Sequence, residues 1–174
     1  MTNKINLRPP SLTDGLAIHQ LIAECPPLDT NSSYCNFLQA GHFAATSVIA
    51  EADDSVMGFI SGYRIPTAPD TLFVWQVAVS EQARGHGLAS KMLLDLLTRP
   101  GNEEINRLHT TITPDNEASW SLFKALAAKL DAPLNSQVWL DQLTHFQGQH
   151  ESEHLIDIGP IPRPLSPLTN GVRP

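Results

Sequence analysis

The stretch Thr71-Leu72-Phe73-Val74-Trp75-Gln76-Val77-Ala78-Val79 restricts the possible folds more than any other part of the chain. Phe73, Trp75, Val77 and Val79 fall on one face of an extended strand, and Val74, Gln76 and Ala78 on the other. Both faces are largely apolar, which predicts a central strand covered on both sides. A glycine turn, Gly85-His86-Gly87, follows it. Leu88, Met92 and Leu96, together with Ala89, Leu93 and Leu97, then recur at i, i+4 spacing, which predicts an amphipathic helix over Leu88 to Thr98, stopped by Pro100-Gly101. A buried strand that feeds such a helix demands a layered architecture with the helix packed back on the sheet.

The flanking segments supply the rest of that sheet. Ile5 to Arg8 alternates as a first strand. Ser11-Leu12-Thr13-Asp14 has the form of a capping box, and Ala17, Ile18, Leu21 and Ile22 predict a helix behind it, ended by Pro26-Pro27. The run Asp29 to Ser33 is dense in capping residues and opens a second short helix with Tyr34, Phe37 and Leu38. Ser47 to Glu51 and Val56 to Arg64 form strands about an Asp53-Asp54-Ser55 turn, and Pro66 to Asp70 reads as a loop. Arg107 to Thr113 is a strand, Pro114-Asp115-Asn116 caps a helix running to about Leu130, and Gln137 to Leu140 and Glu153 to Ile158 are weaker strands. The predicted fold class is α/β (α+β): a mixed, mostly antiparallel central sheet flanked by helices, in a single domain over residues 1–158. Residues 159–174 carry Pro160, Pro162, Pro164, Pro167 and Pro174 and predict a tail that is extended or disordered.

Composition narrows the functional classes. The 174 residues suit one domain, and 11 basic against 18 acidic residues give a net charge of −7, a poor match to a nucleic-acid backbone. No apolar run is long enough to span a membrane, and Met1 to Arg8 lacks the apolar core of a secretory signal. Cys25 and Cys35 lack metal-ligand spacing, so free thiols in a reducing cytoplasm are expected.

Chemistry concentrates in Gln82-Ala83-Arg84-Gly85-His86-Gly87-Leu88-Ala89. Free amides at the start of a helix, backed by its dipole, make an anion site, and the glycines let a ligand approach the backbone. On glycine spacing alone, an ordinary strand-to-helix turn is the better reading. The turn is neither a dinucleotide fingerprint, since Ser90 stands where a third glycine is needed, nor a Walker loop. Its context is more specific. Val77-Ala78-Val79, then Gln-x-x-Gly-x-Gly, an amphipathic helix, a strand, and Asn116 at a helix start resemble the GNAT-type N-acetyltransferases over about Ile5 to Leu130. The resemblance implies the GNAT fold and acetyl-CoA as co-substrate, with no metal. It implies that Val77 and Val79 carry the pantetheine arm, that the amides of Arg84, Gly85, His86, Gly87, Leu88, Ala89 and Ser90 hold the diphosphate, and that Asn116 touches the cofactor. One departure is clear: Phe123 stands where many relatives have a tyrosine that protonates the leaving thiolate. A thiol with a reference pKa of about 8.5 can leave as the anion near neutrality without that acid.

Within that family, the segments 26–35, 58–63, 70–77, 110–116 and 150–160 resemble the diaminobutyrate acetyltransferases of ectoine synthesis, an osmoprotective route. The resemblance implies transfer of the acetyl group to the side-chain (γ, N4) amine of L-2,4-diaminobutyrate, a cytoplasmic location and a homodimer. The residues suit such a cation: Asp29, Thr30, Asn31, Ser33 and Tyr34 offer charge and hydroxyls for the amino-acid end, and Trp75 offers a face for stacking. Ser32 reads more simply as a helix cap, and Trp75 serves core packing equally well. An alkylammonium with pKa of about 10.4 must lose a proton before it attacks. Glu153 is the first candidate base and His150 the second. His150-Glu151-Ser152-Glu153-His154 also spells the zinc-protease motif, but that motif needs a helix, and Leu155 to Ile158 reads as strand before Gly159-Pro160. Another small diamine or polyamine as acceptor, or a non-catalytic acyl-CoA-binding module, remain the alternatives.

Overall fold

The computed structural model describes residues 5–165. Its strands are β1 (Asn6–Arg8), β2 (Val48–Ala52), β3 (Ser55–Ile65), β4 (Ala68–Val79), β5 (Arg107–Ile112), β6 (Leu134–Leu140) and β7 (Glu153–Ile158). Its helices are α1 (Gly15–Ala23), α2 (Ser33–Gly41), α3 (Leu88–Thr98) and α4 (Glu117–Leu130). The strands form one seven-stranded sheet in the order β1-β2-β3-β4-β5-β7-β6. Every neighbouring pair is antiparallel except β4 and β5.

The two helical layers follow from the sequence periodicities. Met92, Leu93, Leu96 and Leu97 of α3, with Phe123 and Leu126 of α4, bury themselves against Ile60, Leu72, Val74, Leu108 and Ile156 on one face of the sheet. Ile18, Leu21 and Ile22 of α1 cover Ile49, Phe59 and Ala78 on the other. Each such side chain contributes about 1.5–3 kcal/mol by leaving water. At the start of the chain the Arg8 guanidinium joins the Asp14 and Glu51 carboxylates, each at 2.8 Å, and so ties β1 to β2 and to the turn before α1. The Asp14 carboxylate also accepts the Ser11 N–H at 2.7 Å, as the capping pattern requires. The Arg8 bonds hold Asp14 down to a pKa of about 2.

Three departures from the sequence expectation bear on function. First, β4 begins at Ala68 rather than after a loop, because Ala68 pairs with Ile65 across a tight turn. Second, the alternation along β4 is broken. The β3–β4 register passes from Ser61↔Gln76 to Gly62↔Val74, which leaves Trp75 as the extra residue of a β-bulge. Phe73, Trp75, Val77 and Val79 therefore do not share one face. Val77 and Val79 pack with Leu72 and Val74 in the α3/α4 core, whereas Phe73 and Trp75 both touch Tyr63. Third, proline content does not keep 159–165 off the body. Ile161 is buried, its N–H bonds the Asn106 carbonyl, and Arg163 donates to the carbonyls of Leu97 and Ile105. Extended chain packs without secondary structure once its donors find carbonyls. Residues 166–174 lie outside the described residues.

Candidate active site

Strands β4 and β5 pair only from Thr71↔Arg107 to Phe73↔His109 and then diverge. At the point of divergence the buried Thr110 hydroxyl donates to the Val74 carbonyl at 3.0 Å, closing the last gap that a ladder bond would fill. On its other side β5 is paired with β7 from Leu108 to Ile112, and beyond the divergence β4 runs on to Val79 with one edge free. The Ser80 N–H bonds the Met57 carbonyl at 2.9 Å. Antiparallel alternation then directs the main-chain groups of Val77 and Val79 toward the fork. The Val79 carbonyl is occupied there by Arg84 Nε at 3.1 Å and by the Cys25 thiol at 3.3 Å.

The glycine turn closes one end of this fork. Gly85 has φ +78° and Gly87 φ +69°, and a methyl group at either would meet no atom within 4 Å. The glycines are thus required by backbone conformation rather than by crowding. The hydrogen bond from Lys91 N–H to the Gly87 carbonyl at 3.1 Å starts the helical ladder. The amides of Leu88, Ala89 and Ser90 precede it without helical partners, behind exposed Arg84, Gly85, His86 and Gly87. Asn116 caps α4, its side-chain oxygen accepting Ser119 N–H at 3.1 Å, which leaves its amide nitrogen for a ligand. The neighbouring Asp115 carboxyl is held below its usual range by the Thr113 hydroxyl. Phe123 is buried in the core, so no proton donor stands at that position.

The acceptor residues gather on the other side of β4, held by a residue the sequence had not singled out. Buried Gln76 donates through Nε2 to the Asp29 carbonyl at 2.7 Å and accepts from Asn31 Nδ2 at 3.2 Å. It therefore clamps the Asp29–Asn31 turn one residue from Trp75. Asp29 and Thr30 are exposed, Ser33 begins α2, and Tyr34 is 71% exposed on it. Ser32 serves as the cap, accepting Cys35 N–H at 3.2 Å. Trp75 is 43% exposed and meets Tyr63 edge-on at 6.4 Å, so it lines the surface rather than the core. Phe43, Tyr63, Phe73 and Trp139 extend this aromatic row.

The two candidate bases fare differently. His154 packs on Trp120 of α4 at 6.2 Å, so its strand neighbour Glu153 points to the opposite face, the one that bears the aromatic row. Leu140, next to Trp139, is paired with Glu153. His150 instead is exposed on the β6–β7 loop, its ring 4.7 Å from Phe146 and its Nδ1 2.7 Å from the Glu151 carbonyl. Both contacts lie within its own loop, and no contact joins it to Glu153 or Trp75 among the described residues. The H-E-x-x-H spelling splits between this loop and β7 and forms no helix. Among the described residues no group of three His, Cys, Asp or Glu is placed to hold a metal ion. Burial pushes the Cys35 thiol up, away from the thiolate form.

Residues 16–127, the part that builds the fork, the turn and Asn116, match the Acetyltransferase (GNAT) family. The chain belongs to the GNAT family. Its fork between β4 and β5 and its bulge at Trp75 are therefore parts of a GNAT fold. Among its relatives, the L-2,4-diaminobutyric acid acetyltransferase of Methylotuvimicrobium alcaliphilum is 56% identical over 157 residues, 90% of this chain and 91% of that one. The enzyme of the same name from Vibrio parahaemolyticus is 51% identical over 87% of this chain and 83% of that one. A solved diaminobutyrate acetyltransferase from Paenibacillus lautus, in complex with L-2,4-diaminobutyric acid and coenzyme A, superposes with a TM-score of 0.87 at 37% identity, covering 91% of this chain and 96% of that one. The ribosomal-protein-S18-alanine N-acetyltransferase of Escherichia coli shares the fold alone, with a TM-score of 0.71 at 14% identity over 91% of this chain and 94% of that one.

The residues missed in the sequence are the ones that hold this GNAT site open. Gln76, Ser61, Thr110 and Tyr63 carry no spacing signal. Ser61 Oγ accepts the Gln76 N–H at 3.2 Å and so absorbs the bulge, a role visible only once β3 and β4 are in register.

Proposed function

We propose that this GNAT protein transfers the acetyl group of acetyl-CoA to the side-chain (γ) amine of L-2,4-diaminobutyrate. The observation that carries the proposal is the pairing of two features on one strand. Free amides and an open main-chain edge lie at one end of β4, and the Gln76-clamped Asp29–Asn31 turn lies beside Trp75 at its bulge. Identity of 37–56% to diaminobutyrate acetyltransferases over 87–91% of this chain supports the choice of acceptor.

The glycine-turn amides, from Arg84 to Ser90, fit the co-substrate's diphosphate. The edges of Val77 and Val79 fit its amide-bearing arm, with the Asn116 amide beside it. These contacts aim the thioester at Trp75. Asp29 anchors an ammonium, and Thr30, Asn31, Ser33 and Tyr34 hold the amino-acid end. Glu153 takes the proton from the attacking amine, directly or through one water. Negative charge then develops on the thioester oxygen, and a β4 main-chain N–H at Val77 faces it. The thiolate leaves without an acid from Phe123. His150 stands as a second base only if its loop moves.

The product, an Nγ-acetylated diamino acid, is the intermediate that ectoine synthesis needs. We further propose that the protein works in the cytoplasm, where acetyl-CoA is made, as a homodimer; Val138, Trp139 and Leu143 expose apolar surface suited to a second copy. The test is a thiol-release assay with acetyl-CoA and diaminobutyrate, with the acetylated nitrogen located by NMR. Nγ-acetylation with clear preference over lysine, ornithine and spermidine is expected. Preference for spermidine would refute the acceptor.

A further inference from the structure

A groove of about 670 Å³ lies between α3, α4 and residues 162–165. Its size is that of a small-molecule site, which runs to roughly 300–1,000 Å³. Leu94, Leu130, Pro162 and Pro164 give it apolar walls, and exposed Lys91 and Lys129 stand at the end nearest the glycine turn. Lys129, from the end of α4, reaches across to the first turn of α3, where its ammonium lies 3.4 Å from Ser90 Oγ. Ser90 is the last residue of the amide row before the helical ladder begins at Lys91. Two residues of the groove's lining thus adjoin the cradle: Lys91, next to Ser90 in the chain, and Lys129, in contact with its side chain.

We propose that Lys129 and Lys91 bind the 3′-phosphate of the coenzyme's adenosine, with the purine on the apolar wall behind them. This rests on acetyl-CoA as the donor and extends its site beyond the diphosphate. Charge is the reason. The cradle offers neutral backbone, and the nearby Arg84 commits its Nε to the Val79 carbonyl. A phosphate monoester seated in an acidic protein needs its own cations. The other charges facing the groove are Asp95 and Asp131. Asp95 is engaged by Arg99 at 2.5 Å, and Asp131 ends α4 in a left-handed conformation. Neither displaces the lysines from the Ser90 end. The Ser90 hydroxyl is a weak partner for an ammonium, so exchange for a phosphate oxygen is favourable.

The experiment is calorimetric binding of coenzyme A and of 3′-dephospho-coenzyme A to the wild type, to Lys129→Met, to Lys129→Arg and to the Lys91→Met/Lys129→Met double variant. The wild type is expected to prefer coenzyme A by about tenfold or more, the scale of one or two charge-assisted contacts. Lys129→Met should cut that preference, the double variant should bring it close to one, and Lys129→Arg should restore most of it. If the double variant weakens both ligands by the same factor, the lysines act on the diphosphate or on helix packing and the proposal is overturned. A wild type that fails to discriminate overturns it as well. If neither ligand binds the wild type at all, the acetyl-CoA reading itself has failed, an outcome distinct from loss of discrimination.

Discussion

Replacing Gln76 with leucine isolates the clamp between the acceptor turn and β4. The side chain is 8% exposed and makes two bonds to that turn, 2.7 Å to the Asp29 carbonyl and 3.2 Å from Asn31 Nδ2. Leucine has a similar volume, so no large cavity opens. Asp29 is exposed and Asn31 partly so, and their freed groups return to water rather than remain as buried orphans. The loss is then close to the net worth of two hydrogen bonds, about 1–3 kcal/mol. If binding of diaminobutyrate requires the docked turn, that cost appears in the KM for the diamine, as a rise of roughly 30-fold at the middle of that range, about 2 kcal/mol. The main-chain edge of Val77 is untouched, so the KM for acetyl-CoA should move by less than about twofold. Thiol release measured while each substrate is varied in turn gives both constants, and thermal denaturation shows whether the fold survives. An unchanged diamine KM would refute the reasoning. Equal rises in both constants would show that the bulge, not the turn, had been disturbed.

Other perturbations probe separate parts of the molecule. Gly87→Ala places a side chain at φ +69° with no clash, so its cost of about 1 kcal/mol is conformational and should weaken coenzyme A binding several-fold by calorimetry, more than it alters the diamine KM. Glu153→Gln should chiefly lower kcat and Asp29→Asn chiefly raise the diamine KM; negligible effects from both would show that the pocket is misplaced. Asp14→Asn should cost about 1–2 kcal/mol of stability at neutral pH, reduced from the full shift because Arg8 is one-third exposed. The Asp14 pKa is depressed to about 2 in the folded state, so the advantage of the wild type is present above the unfolded value of about 3.9 and is lost as pH falls toward 2. Urea denaturation of both proteins across that range checks it, and a stability difference that persists at pH 2 would contradict it.

The parts of the fold with strong periodicity were legible in advance. Helix α3 spans Leu88–Thr98 as its i, i+4 leucines indicate, and the weaker strand expected at Glu153 to Ile158 forms with those bounds as β7. β6 starts earlier than expected, at Leu134 rather than Gln137, because Asn135, Ser136 and Gln137 lie on an exposed edge where pairing needs no apolar alternation. The bulge at Trp75 was illegible for a deeper reason: it is a property of the β3–β4 register and of Ser61, and a single strand's residues do not encode it. The same holds for Gln76, which in the sequence is one polar residue in an apolar strand and in the fold is the anchor of the acceptor turn. The glycine turn stood out because left-handed backbone at Gly85 and Gly87 restricts residue choice directly. The packing of Ile161 and Arg163 did not stand out, because proline density resembles that of a free tail whether or not the segment finds a groove.

A crystal structure of the protein with coenzyme A and diaminobutyrate bound together bears most directly on how the site works. The diphosphate oxygens should lie about 3 Å from main-chain amides between Gly85 and Ser90, the sulfur beside Val77 and Trp75, and the diamine against Asp29 to Asn31. Coenzyme seated on the opposite face of the sheet, or a diphosphate with no contact to those amides, would contradict it.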